Sequence, residues 1–279
     1  MHSLLKPNIN FRKLFHQCIC KKKTALQNKF SNKVELLNSA SNNYESKAID
    51  RKLYQIIPLA SHDLEPVTSK DLNGLYSKQL SKKGTETRLV YDEILAGAIK
   101  YLCCFCSYGE PTELDHFLPK SRYPEFSILP INLVPICHYC NRLKLNKTPT
   151  STECYIHPYF EDYSKLQWLV ADLQFNNNVP VITFQIKRDL EEESPEIFAR
   201  INYQFHKLNL NHRYSLSANT EIGEMHHRLN KLHEYGGSKM VREYLQEEAH
   251  LLSNNNHNSW KCALYHCLCK NHQFCDLSW

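Results

Sequence analysis

The sequence predicts an α+β fold: a strand–strand–helix unit stapled by a structural zinc knuckle, set in a largely helical body. Three observations carry that prediction. Cys103-x-x-Cys106 and Cys137-x-x-Cys140 are matched pairs with two-residue spacers, the standard geometry for a tetrahedral zinc. The stretch between them reads as short strand, loop, short strand, and Pro119, Pro124 and Pro130 argue against regular structure in that loop. On both sides of it, apolar residues recur at helical spacing.

Residues 1–45 are polar, rich in Asn, Ser and Lys, and weakly periodic; short helices or loop are expected there. A helix is predicted from Thr68 to Leu80, capped by Thr68 or Ser69, with Leu72, Leu75, Tyr76 and Leu80 at helical spacing. Ser81-Lys82-Lys83-Gly84 ends it. A second helix is expected over about 86–102, with Leu89, Val90, Ile94, Leu95 and Ile99 on one face. Residues 103–147 then read as knuckle, short strand, loop, short strand, knuckle, helix, the last opening at Asn141 and running through Lys147. Residues 166–187 read as a hairpin, because Trp168-Leu169-Val170 and Val179–Phe184 flank the turn-forming Asn176-Asn177-Asn178. After Ser194-Pro195 the period is helical again through Ile197, Ile201, Phe205 and Leu208, with further helices expected over 215–233, 238–252 and 259–269.

The chain has 279 residues, 42% of them hydrophobic and 11% aromatic, which suits a folded protein with a sizeable core. No run approaches the roughly 18 apolar residues of a membrane-spanning helix, so no membrane partner is expected. Met1–Pro7 lacks the apolar stretch and cleavage site of a secretion signal. The 12 cysteines are therefore read as reduced thiols and metal ligands, and the location as cytoplasmic. Net charge is +5, but residues 1–60 hold eleven Lys/Arg against three Asp/Glu and carry +8, leaving −3 for the remainder. That segment, including Lys21-Lys22-Lys23, reads as a basic, partly flexible arm that could meet phosphates or stand solvated.

Between the cysteine pairs lie Leu114-Asp115-His116 and Asn132, and the second pair runs into Asn141-Arg142-Leu143-Lys144. An Asp-His pair framed in this way is the composition of a hydrolytic metal site. The segment thus offers two metals with different tasks: a zinc on Cys103, Cys106, Cys137 and Cys140 that holds the fold, and a second ion for chemistry. Cys104 falls inside the first pair but is too close to Cys106 for the usual knuckle. The later run Cys262, His266, Cys267, Cys269, His272, Cys275 suggests a further zinc, yet Trp260, Ala263, Leu264 and Leu268 make a core stripe there the preferred reading.

The runs Leu114–Ser121, Ile131–Pro135 and Cys137–Lys144 resemble the HNH endonuclease motif in its zinc-stapled, bacterial stand-alone form. Tyr123-Pro124-Glu125-Phe126-Ser127 and His157-Pro158-Tyr159-Phe160 extend the resemblance over roughly 68–187, and more loosely to the C-terminus; residues 1–60 have no counterpart. The resemblance implies a ββα-metal module. It places the motif's acidic residue on Asp115, its first histidine on His116 and its central asparagine on Asn132. The last position, often histidine, is Asn141 here, which favours an oxygen-rich site and hence Mg²⁺ or Mn²⁺ over a second zinc. The implied chain organisation is a basic arm over 1–60, a nuclease core with flanking helices and hairpin over 61–187, and a helical region over 188–279.

That implied chemistry agrees with the residues. Hydrolysis of a phosphodiester needs a base for water, a neutralised phosphate and a stabilised leaving oxygen. His116 suits the base, Asp115 and Asn141 the divalent cation, and Asn132 the orientation of the Asp115-His116 loop. Lys120, Arg122, Arg142 and Lys144 are placed to meet neighbouring phosphates. The expected activity is metal-dependent cleavage of DNA, with RNA left open; the resemblance further implies a place beside an ATPase or other subunit of a bacterial antiviral defence or mobile-element system. The alternative is a non-catalytic zinc-knuckle module that binds nucleic acid or docks a partner; it would have no use for Asp115-His116.

Overall fold

In the computed structural model, Glu113–His116 (β1) pairs antiparallel with Leu133–Ile136 (β2), setting Asp115 opposite Val134 and His116 opposite Leu133. Side chains of a strand alternate between faces, so neighbouring Asp115 and His116 point opposite ways: Leu114 and His116 are buried, Glu113 and Asp115 less so. All of β2 is buried. Leu114 faces Pro135, which has no N–H to give. Its own polar groups turn to tyrosines instead: Leu114 N–H donates to Tyr91 Oη at 3.0 Å, and Tyr76 Oη–H donates to Leu114 O at 3.0 Å. The outer edge of a two-stranded sheet is thereby satisfied without a third strand.

The structure describes residues 2–20, 22, 24–98, 101–177 and 179–277. Lys21 and Lys23 of the lysine run, Ile99 of the expected helix face and Asn178 of the expected turn lie outside the described residues. The chain forms two units, one over His2–Asp162 and one from Tyr163 onward. The fold is mixed α and β, with two small antiparallel sheets among helices.

In the first unit, Phe11–Ile19 (α1), Thr24–Ser31 (α2) and Val34–Ile49 (α3) precede the strands. Residues 1–60, read from the sequence as a basic, partly flexible arm with short helices or loop over 1–45, carry these three helices, and α1 is packed. Phe11, Leu14, Phe15, Cys18 and Ile19 form a buried stripe on α1, and Phe15 meets Phe30 edge-on at 5.8 Å. Part of the basic charge is engaged as well, since Lys6 pairs with Glu45 and Arg12 with Glu35. His2 N–H and Leu4 N–H donate to the carbonyls of Cys104 and Pro158, so even the first residues pack on the knuckle region.

Ser61–Leu64 (α4) leads to Ser69–Leu75 (α5), which opens on a reciprocal cap: Thr68 Oγ1 accepts from Asp71 N–H and the Asp71 carboxylate accepts from Thr68 N–H. A π turn over Tyr76–Leu80 continues it. The next helix is Arg88–Ala96 (α6), shorter than expected, and it buries Tyr91 and Ile94 while Leu89 faces solvent. After β2, the helix His138–Lys144 (α7) starts three residues before Asn141, because Cys137 caps it with its sulfur. It stops before Lys147, where Leu145 turns to φ 54°.

The second unit pairs Leu169–Asn176 (β3) with Val179–Ile186 (β4), Leu169 opposite Ile186. The hairpin groups with the C-terminal helices, not with residues 61–162 as expected. Asn258 Oδ1 accepts from the N–H groups of Trp168 and Leu169 at 2.8 and 3.2 Å, and the Phe184 ring meets Tyr214 at 5.6 Å. Asp189–Glu193 (α8) and Pro195–Lys207 (α9) follow, then Leu210–Ser253 (α10), Trp260–Lys270 (α11) and His272–Cys275 (α12). α10 breaks at Gly237, whose φ of 64° and ψ of −163° are non-helical. Arg228 Nη1 donates to Tyr244 Oη at 2.9 Å. In one straight helix residues sixteen apart would stand about 24 Å apart, so the chain reverses at the glycine. On α11, Cys262 and Cys269 are buried beside Ala263, Leu264 and Leu268 as core side chains. Among the described residues no helix is long and apolar enough to cross a membrane.

Candidate metal centre and the adjoining site

Cys103, Cys106, Cys137 and Cys140 are all buried, and their sulfurs lie within 4.8 Å of one another. Cys106 Sγ and Cys137 Sγ are 3.9 Å apart. A tetrahedral zinc with Zn–S bonds of about 2.3 Å holds its sulfurs about 3.8 Å apart, so the donor set fits that ion in chemistry and in size. Each pair is wound as a knuckle. Gly109 N–H points at Cys106 Sγ from 3.4 Å, and Cys140 N–H at Cys137 Sγ from 3.5 Å. Crowding splits the thiols: the hydrogen bond to Cys106 and burial push Cys103 up, while hydrogen bonding from Cys103 pulls Cys137 down to about 6. Four neighbouring thiolates need a cation between them, which a divalent ion supplies. Cys104 stands outside this cluster; its Sγ–H donates to Pro135 O at 3.2 Å.

The knuckle clips the chain before β1 to the start of α7, and this sets Asp115 and His116 beside α7. Lys144 Nζ lies 2.7 Å from Asp115 Oδ2 and donates to the carbonyls of His116 and Phe117 at 3.0 and 3.3 Å. Lys144 is only 3% exposed. The expectation that it meets a phosphate is therefore corrected: its ammonium serves the end of β1. Asn141 is half-exposed three residues earlier, hence on the same face of α7. Arg122 and Arg142 are exposed. Lys120 is half-buried, its ammonium 4.4 Å from the centre of the Tyr76 ring, and burial pulls its pKa down.

His116 is buried, with its ring 4.5 Å from that of Tyr76. Its Nε2 is 2.8 Å from Ser127 O. A carbonyl only accepts, so Nε2 carries the proton and Nδ1 the lone pair in the neutral ring. Burial, with a smaller push from Lys120, lowers the His116 pKa to about 4. Asn132 is fully buried and saturated. Its Oδ1 accepts from Leu118 N–H at 2.7 Å and Tyr44 Oη–H at 3.0 Å, and its Nδ2 donates to Leu118 O and Phe126 O at 3.1 and 3.2 Å. The loop that leaves β1 is thus pinned by one side chain.

Several members of this arrangement were not singled out as site residues from the sequence: Tyr76 and Tyr91 on the edge of β1, Ser127 opposite His116, Tyr44 on α3, and His157. The Tyr123–Ser127 and His157–Phe160 runs marked two of these places without saying what they touch.

The chain is 30% identical over 237 residues to Protein ea31 of Escherichia phage lambda, a match covering 77% of this chain and 79% of that protein. It belongs to the ea31 family. No family model matches the chain, and no solved structure matches it. The match covers 77% of this chain and so extends well beyond the knuckle.

Proposed function

We propose that this protein is a metal-dependent endonuclease of the HNH type, a ββα-metal enzyme that hydrolyses phosphodiester bonds in DNA. The observation that supports this most is a neutral, oriented imidazole that follows a carboxylate directly in sequence on one short strand. His116 donates from Nε2 to Ser127 and keeps its Nδ1 lone pair, and with a pKa near 4 it is unprotonated at neutral pH. That is the state a general base requires.

Nδ1 of His116 takes a proton from water as the water oxygen attacks phosphorus. The bond to the departing sugar oxygen then breaks, with its electron pair leaving on that oxygen. Asp115 and Asn141 would hold Mg²⁺ or Mn²⁺, which supplies charge neutralisation at the phosphate and at the leaving oxygen. One carboxylate and one amide oxygen fit such an ion, which otherwise keeps water and phosphate oxygens. Lys144 braces the Asp115 carboxylate from within, Asn132 pins the loop that follows His116, and the exposed Arg122 and Arg142 meet flanking phosphates. The zinc on the four cysteines is structural.

The test is purified full-length protein incubated with supercoiled plasmid, with Mg²⁺, with Mn²⁺ and with EDTA, beside His116→Ala. Cleavage that needs the added metal and fails in the variant is the expected result. Equal cleavage by wild type and His116→Ala would refute the assignment.

A further inference from the structure

We propose that Tyr44 and His157 are positioning residues of this site, joined in a one-way hydrogen-bond relay that sets the amide of Asn132. The inference rests on the nuclease reading for its catalytic consequence, though the relay stands on geometry. Tyr159 N–H points at His157 Nδ1 from 3.3 Å, so Nδ1 accepts and Nε2 carries the proton. Nε2 lies 3.1 Å from Tyr44 Oη, which therefore accepts from it. The Tyr44 hydroxyl proton is left for Asn132 Oδ1, 3.0 Å away. Burial holds the Tyr44 phenol protonated, as a donor must be.

The direction matters because an asparagine amide can flip. With Oδ1 fixed by Tyr44, Nδ2 must face Leu118 O and Phe126 O, and Oδ1 must face Leu118 N–H. A flipped amide would set donor against donor at two places in a dry interior. The relay also touches the loop a second time, since the His157 ring lies on the Phe117 ring at 4.2 Å between centres, tilted 33°. Phe117 follows His116 directly. Tyr44 from α3 and His157 from the 157–160 segment, both buried, thus converge on the loop next to the proposed base.

Three variants of the full chain test this. Tyr44→Phe removes one oxygen and keeps the ring. His157→Phe keeps the stacking on Phe117 and removes the donor. His157→Gln restores an N–H donor. Zinc content and circular dichroism first show that each is folded. Two readouts follow: kcat and KM for cleavage, and deuterium uptake of the peptide spanning Phe117 and Leu118. Tyr44→Phe and His157→Phe should lower kcat roughly 10–100-fold with KM little changed. They should speed exchange of the Leu118 amide roughly tenfold, as one buried hydrogen bond lost implies. His157→Gln should recover most of both. Wild-type exchange rates in folded Tyr44→Phe and His157→Phe would overturn the relay, whatever the enzyme does. Faster exchange with unchanged kcat would overturn the positioning role. If the wild type itself cleaves nothing, the nuclease reading fails, and the exchange rates still decide the relay.

Discussion

Lys144 Nζ sits 2.7 Å from Asp115 Oδ2, so α7 brings its own cation to the carboxylate on β1. The pair is largely sealed from water, with the Lys144 side chain 4% and the Asp115 side chain 19% exposed. Removing one member of a buried pair strands the other charge. Lys144→Met should therefore cost roughly 3–5 kcal/mol of stability in urea denaturation. The salt dependence of DNA binding should not change. A loss below about 1 kcal/mol, or a flatter salt slope, would return Lys144 to the phosphate role first expected of it.

The four-cysteine cluster should bind one zinc per chain. Structural zinc contributes on the order of 10–16 kcal/mol in small modules. Cys137→Ser removes one ligand and the sulfur that caps α7. Metal analysis should show zinc lost, and thermal melting should show the first unit destabilised. Full zinc content with an unchanged melting temperature would contradict the assignment.

His116 links stability to pH. Its pKa falls from 6.5 to about 4 on folding, so between those values the unfolded chain binds more protons than the folded one. Stability contributed by the neutral ring is complete above about pH 6.5 and is lost as pH falls toward 4, amounting to about 3 kcal/mol at about 1.4 kcal/mol per unit. Denaturation curves at pH 7.5 and 4.5 for wild type and His116→Gln measure it. The variant should lose less stability on acidification, and equal losses would show that His116 is not the titrating group.

Arg122 and Arg142 are the exposed cations proposed to meet DNA. Replacing both with alanine should weaken binding. It should also reduce the slope of log K against log salt by about 0.9 for each phosphate contact removed. Zinc content and stability should stay within about 0.5 kcal/mol of wild type, as for other surface changes. An unchanged slope would place the DNA elsewhere.

Much of the local structure was legible in residue order because it rests on short-range rules. The spacing of Cys103, Cys106, Cys137 and Cys140 announced a tetrahedral cluster, and the sulfurs do converge. Thr68 or Ser69 was expected to cap a helix, and Thr68 does so, with Asp71 completing the cap. Even the α1 stripe of Phe11, Leu14, Phe15, Cys18 and Ile19 was written in the sequence, but the polar composition around it hid the period. Charge alone made residues 1–60 look like an arm, whereas a few aromatics at the right spacing give a helix a buried face.

What only the tertiary structure decided are pairings between distant residues. Nothing in the order of residues says that Lys144 reaches back to Asp115, that Tyr44 reaches Asn132 across 88 positions, or that His157 reaches Tyr44 across 113. Nor does it say that the 169–186 hairpin joins the C-terminal helices rather than the knuckle unit. The physical reason is that residue type specifies what a side chain can donate, accept or bury, and spacing specifies which neighbours share a face. Which donor meets which acceptor, and which charge is buried with which, is settled only when the whole chain closes and every buried polar group must find a partner.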